Sequence, residues 1–241
     1  MGPAHPLPWR GRGGYCNKKP CITGRENQSI RLFTFFFIFY GLNFILDIKS
    51  YCMIVLLCGL SGVGKTTLAS IVENKLNDVG IWAQTVDGDE YRKTLCKDLG
   101  FSRADRCENI RRLGAVADKL SSQGIISVIS AINPYEQIRN ELKSMYENVK
   151  IIHLDCAIYT LIERDTKGLY KRAVLPDGHP EKISNLTGVN DQFEVPKYPD
   201  LYINTGINTI EQCSDKLFLF LIHEINNYQR LDIRYGSKKS A

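Results

Sequence analysis

The sequence predicts an α/β fold, a parallel sheet with helices on both faces. Short apolar runs bounded by turn residues alternate with amphipathic helical patterns from residue 53 onward, as β-α-β units require. The first run, Met53-Ile54-Val55-Leu56-Leu57-Cys58, leads directly into Gly59-Leu60-Ser61-Gly62-Val63-Gly64-Lys65-Thr66 and then into a helical period. A chain of 241 residues is long enough for one such domain with appendages and a sizeable core.

Each element has its own signal. Residues 65–78 read as a helix, with Leu68, Ala69, Ile71, Val72 and Leu76 as its apolar stripe. Residues 81–86 read as a second strand that ends at Asp87-Gly88-Asp89. Residues 105–122 carry Ile110, Leu113, Val116, Ala117 and Leu120 on one side, and Gly124 closes that helix. Ile125 to Ile132 is a third, buried strand, followed by a helix from Pro134 to about Asn148. Residues 149–154 form a fourth strand, 157–164 a helix, and 165–199 a loop-rich stretch. Leu201 to Asn204 is a short fifth strand, 209–226 a closing helix, and the residues from 227 a frayed polar tail. In parallel sheets ligands collect at the C-terminal strand ends. That rule places 59–66, 87–89, 130–133 and 155–175 on one rim.

Composition narrows the function classes. The net charge of +5 is mild and the basic residues are interspersed with acidic ones. This suits small anionic substrates and gives no basic stripe for nucleic acid. The eight cysteines, at 16, 21, 52, 58, 96, 107, 156 and 213, form no C-x-x-C pair. Neither a zinc site nor a disulfide framework is indicated, Cys58 and Cys156 read as core thiols, and reduced thiols fit the cytoplasm.

The first 52 residues stand apart. Residues 1–30 are rich in Gly, Pro, Arg and Lys without a period and read as unstructured. The Phe-rich stretch 32–46 is short for a membrane span of about 20 residues and too far inward for a signal peptide. The favoured reading is that the natural protein starts at Met53; the others are a membrane anchor and a packed extension.

Gly59 to Thr66 fits G-x-x-x-x-G-K-T between a strand and a helix, the context in which that spacing makes a P-loop. Gly59, Ser61, Gly62 and Gly64 let backbone N–H groups cradle phosphate oxygens at a helix N-terminus, with Thr67 following in the same turn. Lys65 can reach the β- and γ-phosphates of ATP, and the Thr66 hydroxyl can ligate Mg2+. Asp87 and Asp89 are two carboxylates at the end of the next strand. One can orient the metal and the other can accept a proton from an attacking hydroxyl. A GTPase switch fits poorly. Asn74-Lys75-Leu76-Asn77-Asp78 misses N-K-x-D by one residue and lies inside the first helix.

Beyond the P-loop, the chain resembles the adenylylsulfate (APS) kinase family. The resemblance rests on 59–69, Asp87-Gly88-Asp89 with Arg92, Asp98-Leu99-Gly100-Phe101-Ser102 and Asp105-Arg106-Cys107-Glu108-Asn109-Ile110-Arg111-Arg112. It continues through Pro134-Tyr135, Arg164-Asp165-Thr166-Lys167-Gly168-Leu169-Tyr170-Lys171, Leu186-Thr187-Gly188-Val189 and Pro199-Asp200-Leu201, covering about 53–225. It implies a P-loop NTPase-type sheet with a lid loop, and transfer of the ATP γ-phosphoryl to the ribose 3′-hydroxyl of APS with magnesium, giving PAPS. By resemblance, Asp89 is the general base, with Asp87 beside it organising magnesium. Arg92, Phe101, Arg106, Asn109, Ile132, Lys171 and Leu186 hold the substrate, Phe101 by stacking on its base. Arg164 and the 165–193 loop resemble the lid over the nucleotide, where Lys167 and Lys171 add positive charge. A homodimer is also implied. The domain reading is a kinase domain over 53–226 between an extension, 1–52, and a polar tail, 227–241.

Departures lie in the acceptor half. The family's Ser-Pro-Tyr-Arg is Asn133-Pro134-Tyr135-Glu136, its Phe-Thr-Gly is Leu186-Thr187-Gly188, and 175–180 looks like an insertion. Losing one aromatic face removes about 1–3 kcal/mol of base stacking. The runner-up is therefore the same chemistry on another nucleotide, such as cytidine diphosphoramidate in capsule modification. A third reading is a catalytically idle nucleotide-binding or membrane-tethered protein.

Overall fold

The computed structural model describes residues 52–236, with side chains described through residue 228. The Phe-rich stretch 32–46, and the choice among its three readings, lie outside the described residues. Five strands, β1 (Ile54–Cys58), β2 (Ala83–Asp87), β3 (Ile126–Ser130), β4 (Val149–Asp155) and β5 (Leu201–Asn204), form one sheet. Their order is β2-β3-β1-β4-β5 and every pairing is parallel. The connecting helices are α1 (Lys65–Asp78), α2 (Gly88–Arg92), α3 (Arg103–Ser121), α4 (Glu136–Met145), α5 (Ile158–Arg164), α6 (Leu169–Ala173) and α7 (Ile210–Gly236).

Side-chain alternation in the central strand explains the two layers. Val55 and Leu57 join Leu68, Val72, Leu76, Leu217 and Leu221 of α1 and α7 in one core. Ile54, Leu56 and Cys58 point the other way, into a second core with Ile110, Leu113, Ile138 and Leu142 of α3 and α4. Because β1 is flanked by β3 and β4, the loop leaving its C-terminal end emerges in the middle of the rim.

Differences from the sequence reading have local causes. Helix α3 starts at Arg103, two residues earlier than expected, because the Ser102 hydroxyl caps the Asp105 N–H at 3.1 Å. Helix α4 starts at Glu136 and not at Pro134, since Asn133 has a left-handed φ of 48°. Its first N–H is capped from far along the chain by the Glu194 carboxylate, at 2.7 Å. A short helix, α6, interrupts the stretch expected to be loop, capped by Asp165, whose carboxylate accepts from the N–H groups of Tyr170 and Lys171. The closing helix does not stop at residue 226: α7 continues to Gly236, so the frayed tail expected from 227 is corrected over that span. Among the described residues no helix is long and apolar enough to cross a membrane.

One buried cation ties the 133–136 turn to the loop before β5. Arg139 is fully buried and donates to Asn133 O at 2.8 Å, Glu194 O at 2.6 Å and the Glu136 carboxylate. Replacing it leaves a half-buried Glu136 and two carbonyls without their donor. Arg139→Leu is expected to cost about 3–5 kcal/mol, read as a lowered urea midpoint.

Candidate active site

The P-loop geometry follows from its glycines. At Gly59 an added Cβ would lie 2.3 Å from Leu154 O, so only glycine lets the loop leave β1 against β4. Gly64 sits at φ 94° as the residue before α1, a conformation that only glycine adopts without cost. The Gly59 N–H donates to Ile132 O at 3.2 Å, fastening the loop to the end of β3. Inside the loop, Lys65 Nζ donates to Gly59 O at 2.9 Å and Leu60 O at 2.8 Å. Burial, and then the nearby Lys167 charge, push the Lys65 pKa down to about 8. Ser61 is buried, with its carbonyl accepting from Tyr170 OH at 2.9 Å, whereas Thr67 is exposed on the first turn of α1.

Asp87 connects this loop to the carboxylate that follows. Its Oδ2 accepts from Thr66 Oγ1 at 2.8 Å. Its Oδ1 accepts from the N–H groups of Asp89, at 2.9 Å, and Glu90, at 3.3 Å, capping α2. Thr66 Oγ1 also lies 3.2 Å from Ser130 Oγ. Thr66, Asp87 and Ser130 thus offer hard oxygen donors at a helix N-terminus, a set that suits Mg2+. Asp89 pairs with Lys167 Nζ at 2.5 Å across 78 residues of chain. Burial raises its pKa, but the hydrogen bond and charge of Lys167, with Lys65 and Arg92, outweigh this and hold it below the ordinary value.

Beside Asp89 lies a cleft lined by Arg92, Phe101, Arg106, Asn109, Ile132 and Asn133, among others. Phe101 is about half exposed, and the Arg92 and Arg106 guanidiniums lie 4.5 and 5.5 Å from its ring centroid. Arg92 donates to Gly100 O at 2.9 Å, and burial together with the Arg106 charge lowers its pKa. Two adjacent cations beside an aromatic face make a site for an anionic group joined to a base. Arg106 is not free to serve the anion alone. It is buried, donates to Phe101 O at 3.0 Å and Asn185 O at 2.5 Å, and lies 3.3 Å from Asp191 Oδ2.

The remaining candidates are placed elsewhere. Leu186 does not line the cleft; it is 6% exposed and packs in the core shared with Leu161, Tyr170 and Ala173. Its apolar side chain is taken by that core, while its neighbour Asn185 faces Arg106 through its carbonyl. Arg164 lies against Thr205 O, at 3.4 Å, and Cys156, over the ends of β4 and β5. Lys171 is exposed on α6. Sequence reasoning assigned no role to Ser130, Asn133 or Asp191. The first two lie at the strand end that the rim rule picked out, but Asp191 belongs to no local pattern.

Lys65 has a sign-definite consequence. With its folded pKa lowered from 10.5 to about 8, the native state releases the proton first. Below about 8 both states hold the proton and the cost of the buried charge is fully present; it fades as pH rises towards 10.5. Nucleotide-free Lys65→Met is expected to melt above the wild type at pH 7, with the gap narrowing through that window in thermal unfolding scans.

Comparison with known proteins follows the same lines. The family model described as adenylylsulphate kinase matches residues 51–204. The adenylyl-sulfate kinase of Synechococcus sp. (strain JA-3-3Ab) is 41% identical over 157 residues, 65% of this chain and 86% of that protein. That of Chloroflexus aurantiacus is 38% identical over 181 residues, 75% of this chain and 91% of that protein. Among solved structures, the Mycobacterium tuberculosis APS kinase in complex with AMPPNP and APS superposes with a TM-score of 0.67 at 33% identity. It covers 72% of this chain and 99% of that one. The chain therefore belongs to the adenylylsulphate kinase family of phosphotransferases.

Proposed function

We propose that the chain transfers the γ-phosphoryl group of ATP to the ribose 3′-hydroxyl of adenylyl sulfate, giving PAPS for sulfate activation. The observation that carries this reading is the continuous link from Thr66 through Asp87 to Asp89, which joins the phosphate loop to the Arg92–Phe101–Arg106 cleft. The relatives named above are adenylyl-sulfate kinases, which favours APS over the cytidine compound as acceptor.

In this reading the N–H groups of Gly59–Thr66 hold the phosphates of ATP, with Ser61, Gly62, Gly64 and Thr67 in the same turn. Lys65 leaves the carbonyls of Gly59 and Leu60 for the β- and γ-phosphates. Thr66 and Asp87 hold Mg2+, which when bound neutralises charge on the transferring phosphoryl group. Asp89, kept ionised by its cationic neighbours, accepts the proton of the acceptor's 3′-hydroxyl. Arg92 and Arg106 meet the phosphosulfate, Phe101 stacks on the base, and Asn109 and Ile132 line the wall. Lys167, paired with Asp89 and near enough to Lys65 to lower its pKa, adds positive charge beside the transferring phosphoryl group. Arg164 and Lys171 belong to the lid that closes over ATP and excludes water.

The activity is assigned to residues 53–226. Cys58, Cys96, Cys107, Cys156 and Cys213 are free thiols, which suits a reducing compartment, and we place the enzyme in the cytoplasm.

The test is purified full-length chain with ATP, Mg2+ and either APS or cytidine diphosphoramidate, with the product identified by phosphorus NMR. A 3′-phosphorylated adenylyl product from APS supports the reading; product from the cytidine compound alone overturns it. Asp89→Asn is expected to lower kcat by about 10²–10⁴-fold while APS affinity changes little, checked by steady-state kinetics and direct binding.

A further inference from the structure

The phosphate loop is covered on its outer side by the chain that follows β4. A Cβ added at Gly62 would meet Thr166 Oγ1 at 3.9 Å and Leu161 Cδ2 of α5 at 4.0 Å. One added at Gly188 would lie 2.6 Å from Leu60 Cδ2, so that glycine rests directly against the loop. Tyr170 of α6 adds a polar contact: its hydroxyl donates to Ser61 O at 2.9 Å, across 109 residues of chain. The Tyr170 ring is buried in the core with Leu161, Ala173 and Leu186. Asp165 fixes its backbone, accepting from the N–H groups of Tyr170 at 3.0 Å and Lys171 at 2.9 Å. Burial, then Asp165 and Cys156, push the phenol pKa up to about 12, so the hydroxyl keeps its proton. The Gly62 N–H, the other half of the peptide unit that Tyr170 holds, has no hydrogen-bond partner among the described residues.

We infer that Tyr170 is a positioning residue for the triphosphate: by holding the Ser61 carbonyl outward, it turns the Gly62 N–H towards the phosphates. This rests on the reading above that the loop binds ATP. A trans peptide unit is planar, with its C=O and N–H pointing in opposite directions. Tyr170 takes the oxygen on the covered side of the loop, so the hydrogen is directed away from α6. Gly62, at φ 76°, has no side chain to resist rotation of that unit. Left without its partner, the unit can turn over and present its carbonyl oxygen, which phosphate oxygens repel. One hydroxyl therefore aims a donor and keeps an acceptor out, before the ligand arrives. The carbonyls of Gly59 and Leu60 are held differently, by a Lys65 cation that phosphates attract away from them. The uncharged phenol is not drawn off in that way. Because Tyr170 belongs to α6, the Gly62 N–H stays aimed only while α6 is docked on the loop.

The experiment compares the full-length wild type with Tyr170→Phe, which keeps the buried ring and removes the donor. Calorimetry with Mg2+ uses two probes: inorganic tripolyphosphate, which has the phosphates without the nucleoside, and a non-hydrolysable ATP analogue. The variant is expected to bind both about 3–10-fold more weakly, because the loss lies at the phosphates. Unchanged affinity for both, whatever the urea midpoint, overturns the inference and leaves Tyr170 a packing residue. Weakened binding of the ATP analogue with tripolyphosphate unaffected overturns it as well. A measurement on the wild type alone covers a variant that does not fold. Amide NMR is expected to show the Gly62 proton moving downfield as tripolyphosphate is added, since it gains an anionic acceptor. A Gly62 proton that ignores bound tripolyphosphate overturns the inference. Phosphate binding that depends on Tyr170 in a chain that makes no 3′-phosphorylated product sinks the proposed reaction and leaves the role of Tyr170 standing.

Discussion

The carboxylate of Asp87 is where the two halves of the site are joined. One oxygen takes the Thr66 hydroxyl and so orients the first turn of α1; the other takes two N–H groups and so starts α2. A single planar group therefore sets the distance between the phosphate loop and Asp89. Neither helix could shift along its axis without breaking a hydrogen bond at this residue. That coupling matters for phosphoryl transfer, in which the protein contributes mainly alignment and charge. It also explains why the P-loop glycine and the strand-end aspartate act as one device although 20-odd residues separate them in the chain.

The cations of the site have partners within the chain. Lys65 folds onto loop carbonyls, Lys167 pairs with Asp89, and Arg106 is held by carbonyls and Asp191. Each contact neutralises or solvates a charge that would otherwise face a desolvated cleft. Phosphate oxygens are stronger partners for these cations than neutral carbonyls are, because both members of the new hydrogen bond are charged. Burial and then the Lys167 charge depress the pKa of Lys65 despite those contacts.

Much of this was legible in the chain. The five strands and the first helix could be read from apolar runs and period alone, and β5 was placed to the residue. The P-loop was legible because its chemistry is contiguous. Arg92, Phe101, Arg106 and Asn109 carry no local signature; they were placed through family resemblance, and the fold brings them to one cleft. What could not be read depends on partners distant in sequence. Glu194 caps α4 from 58 residues away, so no local rule places that helix start. Leu186 occupies the position of an aromatic, yet whether it faced ligand or core was decided by the α5–α6 packing beneath it.

The segment after α6 is held by residues far from it in the chain. Asn185 and Asp191 reach Arg106, Glu194 reaches both Arg103 and the N-terminus of α4, and the Arg103 guanidinium stacks on Tyr135, 4.0 Å from its ring centroid. The stretch 185–194 is thus fastened to α3, which carries Arg106 and Asn109 of the cleft wall, and to the start of α4. An acceptor anion that draws Arg106 towards itself must loosen its contacts to Asn185 and Asp191, because one guanidinium has a fixed fork of donors. The same loop leads back to α6 and Tyr170, whose hydroxyl donates to Ser61 O of the P-loop. The cleft and the phosphate loop are thus joined by two sets of hydrogen bonds, one through Asp87 and one through the 185–194 stretch and α6.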